Sequence, residues 1–224
     1  MNIVLKSLLL SITFLNACGQ NNKSNKSYSK QNTSSKNSKD IAVGGPCDRC
    51  DVMFEGMPFV DKIMSEASIA DKTEPGERME LNGSILRKDG KTPARNIILY
   101  LYHTNAKGYY TPSGTQTLGR MNGHLTAWVK TDENGKFIIY SVRPAPYPNR
   151  KVPAHIHILI KEPNKTRYYI DEVWFDDDLL ITKKLKDEAE KRGGDLIIHL
   201  VKNNNNTWVG NLKITLGLNI PDYK

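Results

Sequence analysis

Leu125-Thr126-Ala127-Trp128-Val129-Lys130-Thr131, then Asp132-Glu133-Asn134-Gly135, then Lys136-Phe137-Ile138-Ile139-Tyr140-Ser141-Val142: two runs rich in β-branched and aromatic residues flank a cluster of turn formers. Such residues suit a pleated, half-buried surface, and a polar cluster containing Gly interrupts it. The pattern repeats in both directions. Leu81–Leu86, Ile97–His103, Ala154–Ile160, Arg167–Phe175, Leu196–Val201 and Trp208–Leu216 are further β-type runs, and Lys88-Asp89-Gly90-Lys91 is another turn cluster. About eight short strands at this spacing predict a mainly β fold, a sandwich or barrel. Lys183–Arg192, closed by Gly193-Gly194, has helix-forming composition and predicts one late helix at the periphery. Residues 51–79, broken by Pro58 and Pro75-Gly76, read as an irregular N-terminal arm that wraps the core.

The chain has 224 residues, 38% hydrophobic and 25% charged, which suits one compact domain plus tails and excludes a collagen-like or wholly disordered chain. Its net charge is +8, but residues 1–43 hold six Lys against one Asp, a local charge of +5 that leaves +3 for the remainder. So mild a basicity in the globular part argues against a nucleic-acid partner.

The first residues carry an address rather than a fold. Lys6 precedes the apolar run Leu8-Leu9-Leu10-Ser11-Ile12-Thr13-Phe14-Leu15, which is too short to span a bilayer as a stable helix and reads as the h-region of a signal peptide over 1–17. Leu15-Asn16-Ala17-Cys18-Gly19 resembles a bacterial lipobox, in which Cys18 would be acylated and become the mature N-terminus. Residues 18–43, mostly Asn, Ser, Lys, Gln and Thr, form a flexible polar linker, and the folded domain is expected over 44–224. The expected location is extracytoplasmic, on a membrane through the lipid anchor. Two cysteines remain, Cys47 and Cys50, in Gly-Gly-Pro-Cys-Asp-Arg-Cys. Outside the cytoplasm that pair is expected to close a local disulfide, and without a surrounding βαβ pattern it does not read as a thioredoxin-like centre.

Chemistry concentrates in residues 105–157. Pro153-Ala154-His155-Ile156-His157-Ile158 sets two imidazoles at i and i+2 on a strand, so both rings leave one face while Ile156 and Ile158 leave the other. Upstream, Arg143-Pro144-Ala145-Pro146-Tyr147-Pro148 holds a tyrosine among three prolines, and Asn105-Ala106-Lys107-Gly108-Tyr109-Tyr110 is a tyrosine-bearing loop after a strand. Two phenols with two imidazoles suggest ferric iron, a hard cation that favours anionic oxygen. Two tyrosinates and a hydroxide would balance its three charges.

These blocks resemble the intradiol ring-cleavage dioxygenases, the catechol 1,2- and protocatechuate 3,4-dioxygenase family. The resemblance covers about residues 80–178 and also rests on Leu81-Asn82-Gly83-Ser84-Ile85, Asp89-Gly90, Pro93 and Thr131-Asp132-Glu133-Asn134-Gly135-Lys136-Phe137. It implies a β-sandwich and an Fe(III) cofactor held by Tyr110, Tyr147, His155 and His157, Tyr110 fitting the ligand position better than Tyr109. It also implies ring opening of a catechol-like molecule by O2, between the two hydroxylated carbons, to a muconate-type dicarboxylate. Tyr147 would be the ligand that takes up a substrate proton, and Tyr110 would stay bound. Two positions depart from the family pattern. Val152 stands where the family has Arg before Pro-Ala-His-x-His, leaving Arg150 or Arg143 as replacements, and Glu172 stands where Gln is frequent. Both departures fall on expected substrate contacts, and Glu172 would disfavour acidic catechols. They keep a rival reading open, a non-catalytic β-sandwich lipoprotein that retains the motifs and binds metal or a ligand. A third reading pairs His155 and His157 with a carboxylate such as Glu172 for Fe(II). His103, His124 and His199, the run Asp176-Asp177-Asp178 and the strand tyrosines Tyr100, Tyr102, Tyr168 and Tyr169 are expected to be structural.

Overall fold

The computed structural model describes residues 40–112 and 122–224. The expected signal peptide, Cys18 and the linker up to residue 39 lie outside the described residues. After two 3₁₀ turns, Cys50–Phe54 and Val60–Lys62, eleven strands follow: β1 (Glu66–Ser68), β2 (Arg78–Leu86), β3 (Ile98–His103), β4 (Thr126–Lys130), β5 (Lys136–Val142), β6 (His155–Lys161), β7 (Tyr168–Tyr169), β8 (Val173–Phe175), β9 (Ile197–Ile198), β10 (Leu200–Lys202) and β11 (Trp208–Thr215). The single described α-helix, α1, is Lys183–Glu188.

These strands form two sheets, ordered β1-β5-β2-β11-β10 and β4-β3-β6-β8-β9, with β7 paired to β6. Strand β2 alternates half-buried and buried along its whole length, which commits Met79, Leu81, Gly83 and Ile85 to the interior. They meet Leu99, Leu101, Val129, Ile156, Ile158 and Ile160 of the second sheet in the main core. Gly83 is required because its cross-strand neighbour Phe137 lies over it: a Cβ there would stand 2.0 Å from the ring. Of the sandwich or barrel that the strand runs allow, the structure is the sandwich that the resemblance implies.

Details differ where long-range contacts override local preference. β4 and β5, though joined by a short turn, belong to opposite sheets, so Asp132-Glu133-Asn134-Gly135 carries the chain across the sandwich. The run Arg167–Phe175 is two strands, not one. Asp171 leaves the ladder because its carboxylate accepts the Lys191 N–H at 2.7 Å and its own N–H donates to Arg192 O. Leu196–Val201 likewise splits, with β9 and β10 on different sheets and His199 between them bonded to Asp176 at 2.8 Å. Helix α1 ends at Glu188 rather than Arg192, since the backbone of 191–192 is engaged by Asp171. Thr182 caps its start, accepting from Leu185 N.

The arm, expected to be irregular, contains both 3₁₀ turns and adds β1 in parallel to β5. It covers the outer face of the second sheet: Cys50, Val52, Met53 and Ile63 pack on Ile98, Tyr100 and Leu159 as a second small core. Burying side chains of this size stabilises by about 1.5–3 kcal/mol each. Trp128 Nε1 donates to Met53 O at 2.6 Å and Arg167 pairs with Asp51 at 2.6 Å. This second layer roofs the strand that bears His155 and His157.

His103, buried at the end of β3, donates through Nδ1 to Thr104 O at 2.7 Å and accepts the Ser141 hydroxyl at Nε2, also 2.7 Å. Burial holds its pKa down at about 4 against an ordinary 6.5. Between those values the unfolded chain takes a proton that the folded chain refuses, so stability falls as pH drops from about 6.5 to 4. The loss approaches about 3 kcal/mol at full development. Melting curves of wild type and His103→Gln at pH 7.5 and 4.5 should show the variant with the flatter acid slope. Equal slopes would refute this account.

Candidate metal centre

His155 and His157 leave β6 on its outer face, while Ile156, Ile158 and Ile160 enter the main core. The entry to β6 is held by Asp178, whose carboxylate accepts the Ala154 N–H at 2.7 Å and the Leu180 N–H at 2.8 Å. The expected turn Asp176-Asp177-Asp178 is therefore a turn that also anchors the histidine strand.

Tyr110 and Tyr147 arrive on two loops that are locked together. Asn105 folds the first loop, its side-chain oxygen accepting from Lys107 N and Tyr109 N at 2.9 and 3.1 Å. Thr104 donates to Ala145 O at 2.7 Å, and Ala145 N donates to Asn105 O. Gly108, with φ +80°, lies so close that a Cβ would stand 2.0 Å from Pro146 O. Tyr109 is 55% exposed, whereas Tyr110 turns inward beside Tyr147.

The four side chains meet. Tyr110 Oη lies 3.0 Å from Tyr147 Oη, Tyr147 Oη 3.2 Å from His155 Nε2, and His155 Nε2 3.1 Å from His157 Nε2. Ligand atoms at roughly 2.0–2.2 Å from one ion and about 90–120° apart stand about 3–3.6 Å from one another, so this spacing fits a single metal. The tautomers point the same way. His155 Nδ1 donates to Pro153 O at 2.7 Å, which leaves a lone pair on Nε2, and Glu172 Oε1 stands 3.7 Å from His157 Nδ1 on the other side of that ring. Two imidazole lone pairs converging beside two phenol oxygens are the donor set of a hard cation. Burial, with His155 beside it, pulls His157 down to about 3, so the ring is neutral at ordinary pH. Burial pushes the Tyr110 phenol well above its usual range, and the Tyr147 contact adds to this.

Above the donors is a cleft of about 300 Å³ walled by Tyr102, Tyr110, Tyr147, His157 and Glu172 on the sheet side and, opposite, by Cys47, Asp48, Arg49, Cys50 and Val52. Cys47 and Cys50 are bridged there, with Cα atoms 5.6 Å apart, so the disulfide loop is a wall of the cleft. Tyr102 sits opposite His157 in the β3–β6 register and stacks on its ring at 4.5 Å. Its expected role was packing alone. The Tyr100/Tyr102 spacing of two, shared with His155/His157, was the one available signal. Tyr169 also lines the cleft, while Tyr168 is buried and donates to Glu162 at 2.8 Å.

Other expectations fall elsewhere. Among the described residues Val152 and Arg150 are not part of the cleft wall: Arg150 lies against the Tyr147 ring, 5.8 Å from its centroid. Arg143 is paired with Asp177 at 2.5 and 2.9 Å and faces Phe175 and Trp208. Neither replaces a cation at the cleft. His124 pairs with Glu74 at 2.8 Å, outside the cluster. Glu172 Oε1 stands 3.7 Å from Nδ1 of His157, on the side of the ring away from Nε2, so it orients that ring rather than joining the two Nε2 atoms as a third donor.

A dioxygenase family model matches residues 58–214. The chain belongs to the intradiol dioxygenase family. Over 114 residues it is 31% identical to the catechol 1,2-dioxygenase of Acinetobacter baylyi, across 42% of this chain and 35% of that protein. Over 124 residues it is 27% identical to catechol 1,2-dioxygenase 2 of Acinetobacter lwoffii, across 48% of this chain and 42% of the other. The chain thus spans less than half the length of these intradiol relatives. Among solved structures, the dioxygenase domain of a dioxygenase and carbohydrate-binding fusion from Streptomyces sp. SirexAA-E superimposes with a TM-score of 0.51 at 16% identity, over 72% of this chain and 94% of that one. The 3-chlorocatechol 1,2-dioxygenase of Rhodococcus opacus 1CP gives 0.50 at 16% identity, over 71% and 68%. At such identities the likeness speaks for a shared intradiol fold.

Proposed function

We propose that this protein is a non-haem Fe(III) dioxygenase that uses O2 to open a catechol-type ring between its hydroxylated carbons, releasing a muconate-type dicarboxylate. The observation that carries the reading is the convergence of Tyr110 Oη, Tyr147 Oη, His155 Nε2 and His157 Nε2 through successive separations of 3.0, 3.2 and 3.1 Å. Bound Fe(III) would supply Lewis-acid activation of the diol and a template for O2 attack on the ring.

The chain's own residues have separable tasks. Pro153 O orients His155, and Tyr102 stacks on His157, so both rings are held before substrate arrives. Tyr147 Oη, between Tyr110 and His155, accepts a proton from a substrate hydroxyl. Tyr110, on the neighbouring loop, remains as an anionic oxygen donor. The arm and the Tyr102 wall shield the ring from water. Asp48 and Glu172 on the cleft wall disfavour a ring bearing a carboxylate, so catechols with uncharged substituents are the expected class.

Iron-loaded protein should be red-brown from phenolate-to-Fe(III) charge transfer, with a band that shifts on adding catechol and with oxygen uptake. Tyr147→Phe should keep its iron through the other three side chains while turnover falls about 10²–10⁴-fold. Fully loaded wild type that neither shifts its band nor consumes O2 with simple catechols, chlorocatechols or hydroxylated benzoates would favour the non-catalytic binding module. Extracytoplasmic tethering through Cys18 is part of the proposal. Cys18→Ser should move the protein to the soluble fraction with unchanged turnover, and unaltered membrane fractionation would refute the anchor.

A further inference from the structure

The cleft over the four donors has a wall that precedes the family-matched segment 58–214, the bridged loop Cys47-Asp48-Arg49-Cys50. Of the described residues lining the cleft, Arg49 alone is cationic, beside the acids Asp48 and Glu172. Its backbone sits in the left-handed region at φ 67°, ψ 8°, immediately before the first 3₁₀ turn. Such a conformation is costly for a residue with a Cβ and persists where neighbouring structure imposes it. Here the imposing elements are the Cys47–Cys50 bridge on either side of Arg49 and the burial of Cys50, Val52 and Met53 against the outer sheet face. A diol that gives up protons on binding is anionic on its oxygen side, and a guanidinium at the same cleft is a matched partner. Arg143 and Arg150 are engaged away from the cleft wall.

Resting on the dioxygenase reading, we infer that Arg49 is a substrate-positioning residue that attracts and orients the anionic catechol, and that the Cys47–Cys50 bridge holds it at the cleft. The bridge is then a working part of the substrate site. Because the attraction is to the diol oxygens that every substrate shares, it acts on all catechols alike.

The test is binding of 4-nitrocatechol to iron-loaded protein, followed by its visible spectrum, with iron content and melting temperature recorded for each variant. Arg49→Gly removes the guanidinium and relaxes the left-handed backbone, so it should melt no lower than wild type, keep its iron, and bind about ten- to hundredfold more weakly. Arg49→Lys, restoring charge without the fork, should recover part of that loss. The Cys47→Ser/Cys50→Ser double variant should bind more weakly by a similar factor at unchanged iron content. Affinity of Arg49→Gly within twofold of wild type overturns the proposal, and so does an Arg49→Lys variant no better than Arg49→Gly. Wild-type affinity in the double serine variant overturns the role of the bridge. Iron-loaded wild type that fails to bind any catechol overturns the dioxygenase reading, and this inference with it.

Discussion

His157→Ala is expected to lose iron and oxygen uptake together. The variant deletes one of four converging donor atoms, and His155 Nε2 then keeps Tyr147 Oη at 3.2 Å as its neighbour in the cluster. Altering a partner that merely orients a ligand costs about 10–100-fold in metal affinity or activity, and removing the ligand itself should exceed that range. The Ala side chain also strips Tyr102 of the ring it stacks on at 4.5 Å, so a drop of a few degrees in melting temperature should accompany the effect. Metal analysis decides the matter: Tyr147→Phe should come off a column with iron and His157→Ala without it. Iron at wild-type stoichiometry in His157→Ala, with an unaltered visible band, would refute the assignment of this cluster.

Gly108→Val is the second large effect, and it acts through backbone rather than chemistry. A Cβ at residue 108 would stand 2.0 Å from Pro146 O and 3.0 Å from Pro148 Cδ, and φ is +80°. Left-handed strain adds to a steric clash that must drive the Tyr110 loop from the Tyr147 loop, for an expected loss of about 2–4 kcal/mol. The phenol contact at 3.0 Å depends on that docking, so iron binding should fail even in variant that remains folded. Gly90→Ala provides the control. Its φ is +67°, but nothing stands within 4 Å of the added Cβ, so it should cost only about 1 kcal/mol and leave the iron site intact. A Gly108→Val protein with the stability and iron content of Gly90→Ala would show that the two loops are not clamped at this point.

The sequence by itself determined the elements whose causes are local. Alternation of period two places Leu81, Gly83 and Ile85 on one face of β2, and the same period sends His155 and His157 one way and Ile156 and Ile158 the other. Turn formers such as Asp132-Glu133-Asn134-Gly135 end runs through their own backbone preferences, so strand existence was legible and strand number narrowed the fold to a sandwich or barrel. Tertiary structure decided everything that depends on which distant segment lies opposite. It put β4 and β5 on different sheets, broke Arg167–Phe175 at Asp171 and stopped α1 at Glu188, because bonds to Lys191 and Arg192 outweigh propensity. It also decided that the histidine face is the outer one, roofed by an arm whose Val52 and Met53 find their apolar partners in Ile98 and Leu159. Tyr102 against His157, and Arg49 at the cleft, follow from strand register and from a disulfide loop 50 or more residues away. Side-chain alternation fixes a face relative to the strand itself, and only burial against distant residues fixes which face is inside.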